Sequence, residues 1–281
     1  MTLTGTEPMN HNHVSFQDDE AAIRRKKKPN RTLAREGGLM YPAVAQDRPL
    51  LHLQANAYLR MKRAFDLVLA SLMFVAAIPV IFIAMIAVRL TSRGPAIYVQ
   101  TRLGRNRMPF RIYKIRTMIH DCESLTGPRW AIPGDPRITP VGAILRATHI
   151  DELPQLWNVI RGDMSLIGPR PERPEIADQL IDDIPRYYER LAVKPGITGL
   201  AQVQLPPDTE VKNVADKLVL DLAYIEKIGA RLDFRILCCT VLKMLTLQPQ
   251  QYRRLIRSAI PTDLTADDLY RVGRTESRRA A

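Results

Sequence analysis

Two carboxylates stand side by side at Asp151 and Glu152, with Arg146 shortly before them and Arg170 after them in the stiff run Gly-Pro-Arg-Pro. Residues of these types at these spacings can do phosphate chemistry. Mg²⁺ is commonly held by one or two carboxylates together with substrate phosphates. A carboxylate can also attack a phosphorus atom and carry the transferred group for a time. Planar guanidinium donors match phosphate oxygens bidentately. Prolines on either side of Arg170 lower the entropy lost when that side chain binds. The same pair has a plain structural use, because acids at a helix start cap it and complement its dipole. The pair alone leaves both uses open.

The elements around the pair follow from its neighbours. Leu153, Leu156, Trp157 and Ile160 recur at the spacing of one helix face. Pro154 is tolerated only in a first turn. The pattern predicts a helix from near Asp151 to Gly162, a C-cap glycine, with both acids at its N-terminus. Adjacent residues there point about 100° apart, so one carboxylate can face a phosphorus and the other a metal. His149 is either a general base or an exposed polar side chain. Upstream, residues 95–117 read as a β-hairpin around Gly-Arg-Asn-Arg. Period two puts Ile112, Lys114 and Arg116 on one face, where the two cations either hold a pyrophosphate or guard a solvated edge. Residues 118–142 form a Pro/Gly-rich connection, and "AILRATHI" reads as a short basic helix. Gly196 and Gly199 in "KPGITGLAQV" mark a turn after Lys194, near the nucleotide in a phosphate-handling reading.

A different physics governs residues 56–92. The stretch Leu67–Val88 is free of charge, and about 22 residues at 1.5 Å each reach roughly 33 Å, enough for a bilayer core. A single transmembrane span is one reading. Arg60, Lys62 and Arg63 before the run and Arg89 and Arg93 after it pull both ends to the cytoplasm. Pro79 near its middle removes a helical hydrogen bond. A re-entrant helix that bends at Pro79 and leaves on the face it entered fits these features better. Residues 212–247 offer a second surface: "FRILCCTVLKML" suits an amphipathic interfacial helix or a core helix.

Composition sets the outer bounds. The 281 residues carry 41 Lys and Arg against 29 Asp and Glu, a formal net charge of +12, which favours polyanionic partners such as anionic lipid or phosphorylated substrates. Only 6% of residues are aromatic, too few for base-stacking platforms, so nucleic acid is not expected as a partner. Residues 1–55 lack an apolar period and contain Arg24-Arg25-Lys26-Lys27-Lys28. They read as a disordered basic tail, either solvated or attracted to an anionic bilayer. Residues 249–281 form a basic extension. Cys122, Cys238 and Cys239 make no disulfide framework or zinc spacing and are expected as reduced thiols.

Taken in order, "KRAFDLVLASL", "SRGPAIYVQTRLGRN", "FRIYKIRTM", "DPRITPVGAILR", "DELPQLWNVIRGDMSLIGPRP" and "KPGITGLAQV" resemble the bacterial sugar transferase family. The resemblance covers about two-thirds of the chain. It implies an α+β, mainly helical fold: a re-entrant membrane helix hairpin broken at Pro79, and a small cytosolic domain over residues 93–248 with a β-hairpin and amphipathic interfacial helices. It implies a compact, monotopic enzyme of the bacterial inner membrane with its active site on the cytoplasmic face. The implied reaction moves a hexose-1-phosphate, glucose or galactose, from a UDP-hexose to undecaprenyl phosphate and releases UMP, in exopolysaccharide assembly. Asp151 is then the nucleophile, Glu152 a Mg²⁺ ligand, and Arg146 and Arg170 phosphate-binding residues. Family members often have serine before the proline, where this chain has Ile78, and His149 also departs from the usual pattern. A homo-oligomer is left open. The rival readings are a membrane-anchored glycosidase using the two carboxylates and a non-enzymatic basic membrane-binding protein. Adjacent acids fit a glycosidase poorly, because retaining enzymes need carboxyls about 5 Å apart across the bond.

Overall fold

The computed structural model describes residues 54–123, 127, 132, 134–184, 186–205, 211–245 and 255–256. Apart from residues 54–55 and 255–256, the expected tail (1–55) and C-terminal extension (249–281) lie outside the described residues. Within them the fold is mostly helical, with two small two-stranded sheets.

Helix α1 spans Gln54–Thr91 and contains Pro79. Among the described residues it is the one helix long and apolar enough to cross a membrane. It forms one helix rather than two joined by a turn. Lys62, Asp66, Ala70, Ala77, Ala84 and Val88 are buried, at intervals of four and seven that keep them on one stripe. Small residues on that stripe bring the helix close to the rest of the fold. Leu72, Val75, Phe82 and Ile83 face away and are more than 60% exposed. A protein surface in water does not normally present so long an apolar strip.

Strands β1 (Ile97–Leu103) and β2 (Pro109–Ile115) form the expected hairpin, paired antiparallel from Ile97–Ile115 to Leu103–Pro109. Its connection is a one-turn 3₁₀ segment, Arg105–Arg107, in which Asn106 and Arg107 take positive φ. Helix α2 (Pro140–Ala147) starts on Thr139, whose hydroxyl accepts from the Gly142 amide. Gly142 is required there, since a Cβ would stand 2.0 Å from the Thr117 carbonyl oxygen.

The predicted helix after the acids is real but begins later. Ile150–Glu152 is a 3₁₀ turn, and helix α3 runs Gln155–Arg161. The delay has a local cause. Pro154 has no N–H to extend a helix backward, and His149 sits at φ 57°, reversing the chain just ahead of the acids. Gly162 closes α3 at φ 91°, as expected of a C-cap.

Strand β3 (Ser165–Ile167) pairs parallel with β4 (Gly196–Thr198). The crossover holds helix α4 (Pro174–Asp183) and a 3₁₀ stretch, Tyr187–Ala192. Helices α5 (Leu200–Gln204), α6 (Val211–Glu226) and α7 (Ala230–Met244) complete the described fold. The largest core joins Ala70 and Ala77 of α1 to Leu156 and Val159 of α3, Leu166 of β3, Tyr224 of α6 and Ile236 of α7. A separate cluster sets Ala84 and Val88 of α1 against Ile115 and Leu145. Helix α7 is a core helix on one side and apolar and exposed on the other. Leu232, Ile236 and Cys239 enter the core, while Phe234, Val241 and Met244 are well exposed on the opposite side. None of the three cysteines is in a disulfide, and burial pushes the Cys239 thiol up to about 11.

Candidate active site

The 3₁₀ turn after His149 presents both acids from consecutive positions, and they meet different surroundings. Lys114 Nζ and Arg170 Nη2 each approach Glu152 Oε1 at 2.8 Å. Burial alone would raise the Glu152 pKa. The two cations overcome it and hold this carboxyl well below the usual range. Asp151 is 7% exposed, and among the described residues its carboxylate has no hydrogen-bond or ion-pair partner. Burial, reinforced by the adjacent Glu152 charge, raises its pKa; Lys114, Arg146 and His149 work in the other direction. One acid is therefore clamped and ionised, and the other is held close by with its oxygens uncommitted.

Each cation reaches this place by a separate route. Lys114 comes from β2, which is fastened to α3 by Asn158. That buried side chain donates to the Arg111 carbonyl at 2.7 Å and accepts from the Tyr113 amide at 3.2 Å. Burial lowers the Lys114 pKa, while Glu152 raises it. Arg170 follows β3. Its backbone is fixed where Gly168 and Gly196 pass so close that a Cβ on Gly196 would fall 2.1 Å from the Gly168 amide nitrogen. Arg190 Nη2 also donates to the Arg170 carbonyl at 2.9 Å, and Arg190 is paired with buried Asp221 at 2.7 Å. The Arg170 head remains about half exposed, so it can meet a ligand as well as Glu152. Arg146, from α2, donates through Nε to Thr117 Oγ1 at 2.8 Å and lends positive potential to Asp151.

Arg116 is placed elsewhere. It lies just past β2, is buried, and donates to the carbonyls of Ser92, Arg93 and Gly94 and to the Ser92 hydroxyl. It closes the C-terminal end of α1 rather than joining Lys114 beside the acids. The strand alternation that paired the two cations ends at Ile115. Where the sequence reading put a turn, Gly196 opens β4 and Gly199 starts α5, both packed closely on the Gly168 backbone. His149 is exposed at the entrance to the acid turn.

The model for the family described as bacterial sugar transferase matches residues 57–247, more than half of the chain. The chain belongs to the bacterial sugar transferase family. A UDP-glucose:undecaprenyl-phosphate glucose-1-phosphate transferase of Caulobacter vibrioides is 44% identical over 187 residues, covering 66% of this chain and 70% of the relative. An undecaprenyl-phosphate glucose phosphotransferase of Komagataeibacter xylinus is 39% identical over 203 residues, covering 70% of this chain and 37% of the relative. An exopolysaccharide production protein of Rhizobium leguminosarum bv. phaseoli is 38% identical over 192 residues and is covered over 96% of its length.

The sequence reading of this sugar transferase missed the residues that root α1 in the catalytic unit. Asp66 accepts from the Ser165 hydroxyl at 2.7 Å and the Leu166 amide at 3.2 Å, so α1 holds the strand that leads to Arg170. One turn earlier, Lys62 Nζ and Tyr58 Oη both meet Asp233 Oδ2 at 2.6 Å, and Tyr224 Oη meets Oδ1 at 2.8 Å. Asp66 and Lys62 did carry a signal. Charged residues on the buried stripe of an apolar helix need partners. Which partners could not be read from the sequence.

Proposed function

We propose that this sugar transferase moves a sugar-1-phosphate from a UDP-hexose to undecaprenyl phosphate through a covalent intermediate on Asp151. The observation that carries the reading is the unlike state of the two neighbours: Glu152 clamped by Lys114 and Arg170, Asp151 close by and without a partner among the described residues. In the first step an Asp151 oxygen attacks the β-phosphorus of the UDP-sugar. The bond from that phosphorus to the bridging oxygen breaks, and UMP leaves with the electron pair. A phosphate oxygen of undecaprenyl phosphate then attacks the same phosphorus and displaces the carboxylate, giving undecaprenyl-diphosphate-sugar. Two easier displacements replace one transfer between bulky anions. Arg170 and Arg146 neutralise the phosphoryl oxygens, and Lys114 keeps Glu152 in position. Glu152 accepts both of its cations on one oxygen, and a hard carboxylate beside a phosphate suits Mg²⁺. In this reading Glu152 would hold that ion with substrate phosphates, where it would supply further charge neutralisation.

The membrane helix gives the reaction its location. Arg63 near the start of α1 donates to the carbonyls of Val159 and Ile160, and Arg116 binds the carbonyls just beyond its end. Both ends are thus fastened to one small polar unit. That arrangement favours a helix dipping into the cytoplasmic leaflet and bending at Pro79 over one that spans the bilayer, and so a monotopic protein of the bacterial inner membrane. Anionic lipid around it complements the basic chain. The names of the relatives favour this reading over a glycosidase or a non-enzymatic binder.

The deciding experiment supplies UDP-glucose and UDP-galactose, labelled in the β-phosphate, to the enzyme in membranes without acceptor. Label retained on the protein with stoichiometric UMP is the expected result, followed by discharge when undecaprenyl phosphate is added. Release of UDP in place of UMP would exclude the chemistry.

A further inference from the structure

Helix α3 buries two carboxamides and commits them differently. Asn158 is fully buried, donates to the Arg111 carbonyl at 2.7 Å and accepts from the Tyr113 amide at 3.2 Å, which fastens α3 to β2. Gln155, one turn earlier, is 2% exposed, and its Nε2 meets no hydrogen-bond acceptor among the described residues. A buried donor left unpaired costs stability. Packing does not account for it, because an apolar side chain of the same volume would fill that place without the penalty.

The winding of the chain fixes what the Gln155 amide faces. Leu153 (φ −54°, ψ −37°) and Pro154 (φ −61°, ψ −17°) are right-handed, so the turn that carries the acids runs on into α3 without a break. Such a chain rotates by about 100° per residue as an α-helix and about 120° as a 3₁₀-helix. Measured from Asp151, Glu152 lies at about 100–120° and Gln155, one turn on, at about 40–120°, within the sector that the two acids bound. Side chains on a right-handed helix lean back toward its start, onto the residues three and four before. For Gln155 those are Glu152 and Asp151. Glu152 already has Lys114 and Arg170 at 2.8 Å each. Asp151 is 7% exposed and has no hydrogen-bond partner among the described residues. A buried donor and a buried acceptor, both uncommitted, thus stand four residues apart, a spacing at which Gln and Asp side chains pair.

We propose that Gln155 is the positioning residue of the nucleophile: its amide donates to one Asp151 oxygen and turns the other toward phosphorus. The inference rests on the proposed attack by Asp151 and adds what aims it. A carboxylate without a partner can rotate its oxygens off the line of attack, and orientation of reacting groups is a large lever on rate. Once the attacking oxygen has bonded to phosphorus, the oxygen held by Gln155 is the carbonyl oxygen of the acyl phosphate. When undecaprenyl phosphate attacks, the bond from phosphorus to Asp151 breaks, and its electron pair returns to a carboxylate that the amide still holds. One contact thus serves both half-reactions, and such catalytic hydrogen bonds often close only with substrate in place.

The test replaces Gln155 by methionine, which keeps length and volume and removes the donor. Because that donor is unpaired in the fold, Gln155→Met in nanodiscs should melt at or above the parent temperature. Rapid quenching with UDP-hexose labelled in the β-phosphate, over a series of Mg²⁺ concentrations, should show the adduct forming at least about tenfold more slowly at saturating donor, to the same final amount, with the donor KM within about threefold. Discharge by saturating undecaprenyl phosphate should slow by a similar factor. A residue that only supports the fold gives the reverse: a lower melting temperature and less adduct, formed at the parent rate. That result overturns the inference, as does an unchanged rate. A deficit that excess Mg²⁺ restores assigns the amide to Glu152 and also overturns it. Should Gln155→Met fail to fold, Gln155→Leu decides: the same slowing in a folded Gln155→Leu supports the inference, and collapse of both variants means that the fold needs the amide and overturns it. A parent enzyme that forms no adduct at all removes the nucleophile, and the covalent reading fails with the inference; a parent that forms it normally beside an equally fast variant sinks the inference alone.

Discussion

Two clusters of buried charge among the described residues differ in how completely they are satisfied. At the root of the membrane helix, Asp233 takes Tyr58, Lys62 and Tyr224 on its two oxygens. At the acid turn, Glu152 takes two cations on one oxygen, and its neighbour Asp151 takes none among the described residues. The first cluster resembles a finished weld: it joins α1, α6 and α7 and leaves nothing for a ligand. The second is only half closed. A buried charge without a partner is costly, and a fold keeps such a group where bound substrate completes it. The contrast teaches that saturation, more than burial, separates charges that hold the protein together from charges left open to a ligand.

Removing the uncommitted carboxylate should have the largest effect. Asp151→Asn should cost at least about 10³-fold in turnover and abolish the labelled adduct, with the melting temperature near that of the parent. Normal turnover would move the chemistry to another group. The saturated cluster should respond in the opposite sense. Asp233→Ala strands Lys62 in the interior and should cost about 3–5 kcal/mol of stability, read as a lowered melting temperature in detergent or nanodiscs. Adduct formation at low temperature should survive in the fraction still folded. Arg170 belongs to the working cluster but is half exposed, so its removal should be milder. Arg170→Ala should slow adduct formation about 10²-fold, and Arg170→Lys should recover only part, because an ammonium lacks the planar fork.

The smallest effect is in pH dependence. In the proposed mechanism only ionised Asp151 attacks, and burial with the Glu152 charge raises its pKa. Activity should therefore fall, as pH drops, at a higher pH than an ordinary aspartate near 3.9 would give. Glu152, held well below the usual range, stays ionised through that fall. His149 opposes the rise on Asp151, so His149→Ala should shift the acid limb slightly upward. A shift the other way would mean that His149 acts through position instead of charge.

Local features were legible in the sequence where the cause was local. Gly162 ends α3 because a left-handed residue is needed there, and the glycine announces it. The hairpin over 97–115 and its tight connection follow from β-prone runs around Gly104-Arg105-Asn106-Arg107. Where the causes were nonlocal, the reading slipped. Arg116 was set beside Lys114 by strand alternation, yet it answers to the open carbonyls at the end of α1. The acids were placed in the first turn of an α-helix and lie in a 3₁₀ turn ahead of it; that cause is local, the reversal at His149, but a left-handed histidine carries no sequence signal of its own.

By itself the sequence determined the family, the apolar helix and the identity of the acid pair. Each is written in residue type, order and short-range period, which need no knowledge of what touches what. Only the tertiary structure decided which acid is free. Lys114, Glu152 and Arg170 lie 38 and 18 residues apart, and Asp66 reaches across 100 residues to Leu166 to hold the strand before Arg170. Ion pairing depends on a few ångströms of separation, and at those sequence distances only the packed chain sets it.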